Sequence, residues 1–153
     1  MADSWYQEQT VTGKFPDGRQ LRVTLCTESG YESGLYSVYI QDGLEYLTEK
    51  YGDKGPEMVD DPKSPAPVRS EWRRINERAY MLSCLRLVEE AQPGGDFATI
   101  DRPQEWDGVA EFSRAIPGTL YATWARTARE LNPGLHVAAP GDSQKKGVSV
   151  TVA

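Results

Sequence analysis

The stretch from Ser70 to Gly134 constrains the fold most, because it carries the punctuation of three successive helices. A long helix is expected to start at Ser70, with Glu71 in its first turn, and to stop before Gln92-Pro93-Gly94-Gly95. A second is expected between Asp101 and Ile116, and a third from Pro117 to the stop Asn132-Pro133-Gly134. Trp72, Trp106 and Trp124 fall one to each helix, so the pattern predicts three large apolar anchors in a shared core. This region is organised for packing rather than for chemistry.

The apolar spacing gives each helix a face. Between Ala79 and Val88 apolar residues occur on every side, interrupted only by Ser83 and Arg86, which predicts a helix buried on most sides. Arg86 would then pair with Glu89 or Glu90, three or four residues on. Asp101 with Gln104 resembles a capping box, and Val109, Phe112 and Ile116 form the stripe of the second helix. In the third, Leu120, Trp124, Ala128 and Leu131 share one face beside Tyr121, with Arg126, Arg129 and Glu130 opposite.

The N-terminal half has the period of strands. Phe15-Pro16-Asp17-Gly18-Arg19 places Pro, Asp and Gly as a tight turn requires, since Pro presets φ and Gly tolerates a positive one. Leu21, Val23 and Leu25 alternate with polar neighbours beyond it, so residues 9–26 are expected to form a β-hairpin. Leu35 to Ile40 (LYSVYI) reads as a third strand closing at Gln41-Asp42-Gly43, and Leu44, Leu47 and Tyr51 as a short helix up to Gly52. Tyr36 and Tyr39 would then lie on opposite faces of that strand, one of them outward. Pro56, Pro62, Pro65 and Pro67 make 52–69 an extended connection, because proline donates no N–H and restricts its predecessor. Its Pro-x-x-Pro is a weak signal for a polyproline ligand. Val148 to Val152 alternates like a late strand, or belongs to a tail.

The expected class is α+β. A small antiparallel sheet, the N-terminal hairpin plus a third strand, packs with three to four α-helices. Residues 1–134 form one domain, comprising a β-rich part (9–51), the Pro-rich connection (52–69) and a helical part (70–134), and 135–153 follow as tail or late strand.

Charge narrows the partners. Acidic residues outnumber basic ones 23 to 17, a net −6, and a phosphate backbone needs clustered Lys and Arg, so nucleic acid is disfavoured. The basic residues of 70–134 are all Arg, suited to planar contacts at a protein surface. No apolar run approaches a membrane span, and the N-terminus lacks the basic start and apolar segment of a signal peptide. Cys26 and Cys84, far apart in sequence, read as reduced packing thiols of a cytoplasmic protein.

Catalytic material is sparse. His136 is the one histidine, and with two isolated cysteines it completes no zinc ligand set. A Cys–His dyad is compatible with the spacing, but both thiols sit in apolar patterns that disfavour the thiolate. Neither Gly94-Gly95 nor Gly52 with Gly55 has the Lys-Ser/Thr partner of a phosphate loop. The carboxylate pairs Asp60-Asp61, Glu89-Glu90 and Asp96 with Asp101 read as solvated charge, and Glu45 with Glu49 lacks the further oxygens of a cation site. No catalytic residue, metal or cofactor is expected.

The order of parts carries a resemblance. A hairpin with a Pro-Asp-Gly turn precedes an Arg-rich helix that turns apolar (RRINERAYMLSCLRLVEE) and a Trp-containing helix. The last helix opens at Ile116-Pro117-Gly118-Thr119-Leu120 and closes at Leu131-Asn132-Pro133-Gly134. Residues 71–134 in this order resemble the tail assembly chaperones of tailed bacteriophages. The resemblance implies a non-enzymatic protein of the infected cell's cytoplasm that binds the tape-measure protein and tail-tube subunits. Arg126 and Arg129, opposite the apolar stripe, are then the candidate partner-binding residues. Two other classes stay open: a structural component of a phage tail, neck, baseplate or related contractile machine, and a small cytoplasmic enzyme or regulator unrelated to phage. Partner identity and oligomeric state are not fixed by these residues.

Overall fold

The computed structural model describes residues 5–54, 63 and 66–133. Strands β1 (Glu8–Lys14) and β2 (Gln20–Cys26) lead into helix α1 (Gly30–Tyr51). Helix α2 (Ala66–Ser83), strand β3 (Leu85–Ala91) and the short strand β4 (Ala98–Thr99) follow. A 3-10 turn (Gln104–Asp107), helix α3 (Val109–Ala115) and helix α4 (Gly118–Leu131) complete the described chain. All neighbours in the sheet are antiparallel, in the order β1-β2-β3-β4. The α+β class is therefore the observed one.

The hairpin forms as its turn dictates. Phe15 N–H donates to the Arg19 carbonyl at 2.8 Å and Gly18 N–H to the Phe15 carbonyl at 3.0 Å, with Gly18 at φ 97°. Leu21, Val23 and Leu25 turn inward with Val11. Thr10 and Thr24 hydroxyls meet at 3.2 Å on the opposite face, where Arg22 also makes a two-pronged bond to Glu89 at 2.9 and 3.0 Å.

The third strand is not where sequence places it. Leu35 to Ile40 lies inside α1, which starts at a capping box: Ser29 accepts from Tyr31 N–H at 3.2 Å, and Glu32 accepts from Ser29 N–H at 2.8 Å. Glu32, Tyr39, Gly43 and Leu47 are buried at helical spacing. Gly43 is no stop signal. It is where α1 crosses α2, since a Cβ there would sit 2.2 Å from Ile75 Cγ2. Packing overrides the strand propensity of the aromatic run.

The sheet's third member is instead β3. Helix α2 begins at Ala66, with Pro67 in its first turn and Ser70 inside it, and ends at Ser83. The apolar run from Ala79 to Val88 is thus a helix end followed by a strand start, which periodicity cannot separate. Arg86 consequently does not pair with Glu89 or Glu90, and its Nε lies 3.8 Å from Glu8 Oε2. The expected second helix is split into the 3-10 turn and α3, and the turn is preceded by Pro103 with no side-chain cap. Asp101 and Gln104 therefore form no capping box.

Two of the three tryptophans share a core. Trp106 and Trp124 are buried with ring centroids 5.3 Å apart, and Phe112 lies 5.9 and 5.7 Å from them. Trp72 is only half-buried and packs on a smaller cluster of Leu47, Ile75 and Val109. Helix α4 is the expected third helix, with Leu120, Trp124 and Ala128 buried and Leu131 half-buried. It rests on β1 where the latter has no side chain: a Cβ on Gly13 would meet Leu120 Cβ at 2.4 Å. Asn132 closes it, accepting from Glu28 N–H at 2.7 Å and donating to the Ala128 and Cys26 carbonyls.

Candidate functional site

A cleft opens where the hairpin turn, the 98–106 segment and α3 meet. It encloses about 380 Å³ and has a floor of Phe15, Leu21, Ile100, Trp106 and Ala115. Its rim carries Arg19, Glu90, Glu105, Glu111 and Arg114. Each wall has a local cause. The tight turn projects Phe15 and Arg19, and the Arg19 guanidinium lies 4.2 Å from the Phe15 ring centroid. Arg19 also bonds Glu90 on β3 at 2.8 Å and Asp17 at 2.9 Å. The Arg19 backbone N–H, and then that guanidinium, hold the Asp17 carboxyl below its usual range.

The far wall hangs on Arg78. This side chain is only 2 % exposed, yet it faces no carboxylate at hydrogen-bonding distance among the described residues. It donates to the Trp106 carbonyl at 3.1 and 3.2 Å and to the Asp107 carbonyl at 2.9 Å. Those carbonyls belong to the 3-10 turn, so α2 holds the turn that sets Trp106 in the cleft floor. On the rim, the side chains of Glu105, Glu111 and Arg114 have no hydrogen-bond or ion-pair partner among the described residues. A second hollow of about 390 Å³, lined by Ser70, Arg73, Arg74, Glu77, Ser113, Gly118 and Tyr121, is shallower in chemistry. Its one carboxylate, Glu77, is already taken by Tyr121 and Arg129.

The two arginines singled out in sequence have different fates. Arg126 is exposed, with Glu130 at 4.0 Å, a separation at which an exposed pair contributes little. Arg129 is held within the chain: it bonds Glu77 at 2.9 Å and lies over the Tyr80 ring at 5.7 Å. Both side chains remain open to solvent, at 65 % for Arg126 and 42 % for Arg129. Tyr36 and Tyr39 point inward from α1, Tyr36 donating to Asn76 and Tyr39 accepting from Arg102 at 2.6 Å. The exposed aromatics are Trp5, Tyr6 and Tyr31, none of which periodicity had marked.

Other candidate chemistry is dispersed. Glu89 and Glu90 are paired with Arg22 and Arg19, and Glu45, Glu49, Asp96 and Asp101 are exposed. Among the described residues no group of three or more His, Cys, Asp or Glu could hold a metal ion. His136, Asp60, Asp61, the Pro-x-x-Pro segment and the Val148–Val152 alternation lie outside the described residues. No described helix is long and apolar enough to cross a membrane.

The cysteines are distant in sequence and adjacent in space. Cys26 N–H donates to the Cys84 carbonyl at 2.9 Å, and both side chains are buried and free. Burial pushes the Cys26 thiol up to about 11 and the Cys84 thiol up to about 12. Both values lie above the ordinary 9.0, so folding favours the protonated form. That contribution is whole below pH 9.0 and is lost as pH rises through the folded values. Burial raises Tyr36 and Tyr121 in the same direction. The melting temperature should therefore fall as pH climbs past the ordinary thiol value. Iodoacetamide at neutral pH should leave both thiols intact until the protein unfolds; rapid native alkylation would refute their burial.

Comparison with protein-family models, with curated proteins and with solved structures gives no match.

Proposed function

We propose that this chain is a non-enzymatic assembly factor of the phage-tail kind, which recognises partner proteins through the cleft beside α3. One observation carries the recognition element. An apolar floor containing Trp106 and Phe15 is ringed by Glu105, Glu111 and Arg114, whose side chains have no hydrogen-bond or ion-pair partner among the described residues. An aromatic-floored hollow with a polar rim suits an apolar side chain of a partner, with rim charges that select by complementarity. Among the described residues both thiols are buried, Glu89 and Glu90 are held in ion pairs, and no three potential metal ligands come together, which supports binding over catalysis. The choice of tail proteins as partners rests on the resemblance of 71–134, above all the Ile-Pro-Gly opening and Leu-Asn-Pro ending of α4.

The test is co-expression with the tape-measure and tail-tube proteins of a tailed bacteriophage, followed by affinity purification. The wild type should retain at least one of them. Arg114→Glu should weaken retention about tenfold, while Arg126→Glu should not, because only the former lies on the cleft rim. Retention of neither protein by the wild type would end the tail reading. Equal retention by Arg114→Glu would move the binding surface elsewhere.

A further inference from the structure

The sheet has two edges, and they differ. Strand β4 is two residues long and offers little to pair with. Strand β1 runs for seven residues in unbroken register with β2, whereas the β2–β3 ladder slips at Thr24/Leu25. An outer strand is usually defended by shortness, a bulge, a proline or charge, and β1 (EQTVTGK) has only the charges at its two ends, Glu8 and Lys14.

The ladder's parity shows which groups are free. Phe15 N–H bonds the Arg19 carbonyl and Thr27 N–H bonds the Gln7 carbonyl, so odd-numbered residues of this strand face β2. The backbone N–H and C=O of Glu8, Thr10, Thr12 and Lys14 therefore point away from the sheet, and none is paired among the described residues.

We propose that this edge pairs with the same edge of a second copy, antiparallel about a two-fold axis at Val11. In that register Glu8 faces Lys14 of the other copy, Thr10 faces Thr12, and the relations repeat across the axis. Only outward-facing residues meet outward-facing residues, so the hydrogen-bond parity is satisfied along the whole strand. Every charge on β1 meets its opposite. Sliding by two residues in either direction sets Glu8 or Lys14 against an uncharged neighbour. The side chains obey the same symmetry: the threonines lie on the open face, and Val11 on the core face beneath which α4 packs. The register also brings exposed Tyr6 opposite exposed Pro16 of the other copy's turn. Two four-stranded sheets become one of eight, an isologous interface of the commonest symmetry.

Sedimentation equilibrium of the full chain tests this. The wild type should be a dimer. Thr10→Pro removes an outward N–H and no bond to β2, so it should give a monomer with unchanged circular dichroism and melting. Lys14→Glu sets two pairs of like charges opposite each other and should weaken dimerisation roughly tenfold, while Glu8→Lys with Lys14→Glu should restore it. A monomeric wild type would overturn the proposal, as would a Lys14→Glu variant that the second substitution does not rescue. If Thr10→Pro fails to fold, the charge pair still decides. Wild-type monomers with exchange-protected Thr10 and Thr12 amides would mean that this chain's own residues cover the edge, and the proposal would fail.

Discussion

Trp124→Ala is expected to destabilise the protein by about 3–5 kcal/mol, the usual loss on truncating a fully buried aromatic. The ring is inaccessible and touches Trp106 and Phe112, which themselves pack together. Its Nε1–H donates to the Met81 carbonyl at 2.9 Å near the end of α2, so alanine leaves a buried acceptor unpaired as well as a void. Trp124→Phe separates the two effects by keeping most of the ring and losing the bond, and should cost about 1–3 kcal/mol. Urea denaturation of both variants measures this. A loss below about 1 kcal/mol for the alanine variant would mean that the three-ring cluster is not the centre of the core.

Arg78→Ala should cost about 3 kcal/mol, for a different reason. No carboxylate among the described residues bonds the side chain; it serves as a clamp on the Trp106 and Asp107 carbonyls, with the Tyr39 ring 5.3 Å away. Burial pulls its pKa down from the ordinary value. Keeping a guanidinium dry is costly, so Arg78→Met, which retains volume without charge, should lose less than alanine does. Both variants should raise amide exchange at 104–108, because the 3-10 turn loses its only side-chain tie to α2 among the described residues. Unchanged exchange there would show that the turn stands without Arg78. Since Trp106 floors the cleft, partner retention should fall in parallel with exchange protection.

What could be read in advance was what is local. The Pro16-Asp17-Gly18 turn specifies the hairpin within a few residues, and α4 has one apolar stripe between Pro117 and Asn132. The signals that failed were ones where tertiary contacts decide. Gly43 read as a strand terminus because its true reason, the approach of Ile75, comes from another helix. Ser29 with Glu32 was a legible capping box, and weighing it above the aromatic run would have found α1. Strand β3 was hidden because the α2–β3 change occurs inside an apolar run with neither Gly nor Pro to mark it. Its partners, Arg22 for Glu89 and Arg19 for Glu90, are supplied by the distant hairpin. The cleft was illegible for the same reason: it collects side chains from the turn, the 98–106 segment and α3, and nothing local joins its floor residues Phe15, Leu21 and Trp106.

The join between α2 and β3 has a consequence for how this sequence can diverge. Cys84 alone separates Ser83, the last helical residue, from Leu85, the first of the strand. Substitutions there act locally, on the buried Ser83 and Cys84 side chains and the Ser83–Glu28 bond; a change of length acts on the whole strand. One residue inserted or deleted would exchange the two faces of β3, sending Val88 toward solvent and Glu89 into the core and parting Arg22 from its carboxylate. Cys26 would lose its backbone partner in the same step. Chains that share this fold should therefore keep the count of residues across 83–85 constant, with small residues at the two buried positions, and take up their insertions elsewhere.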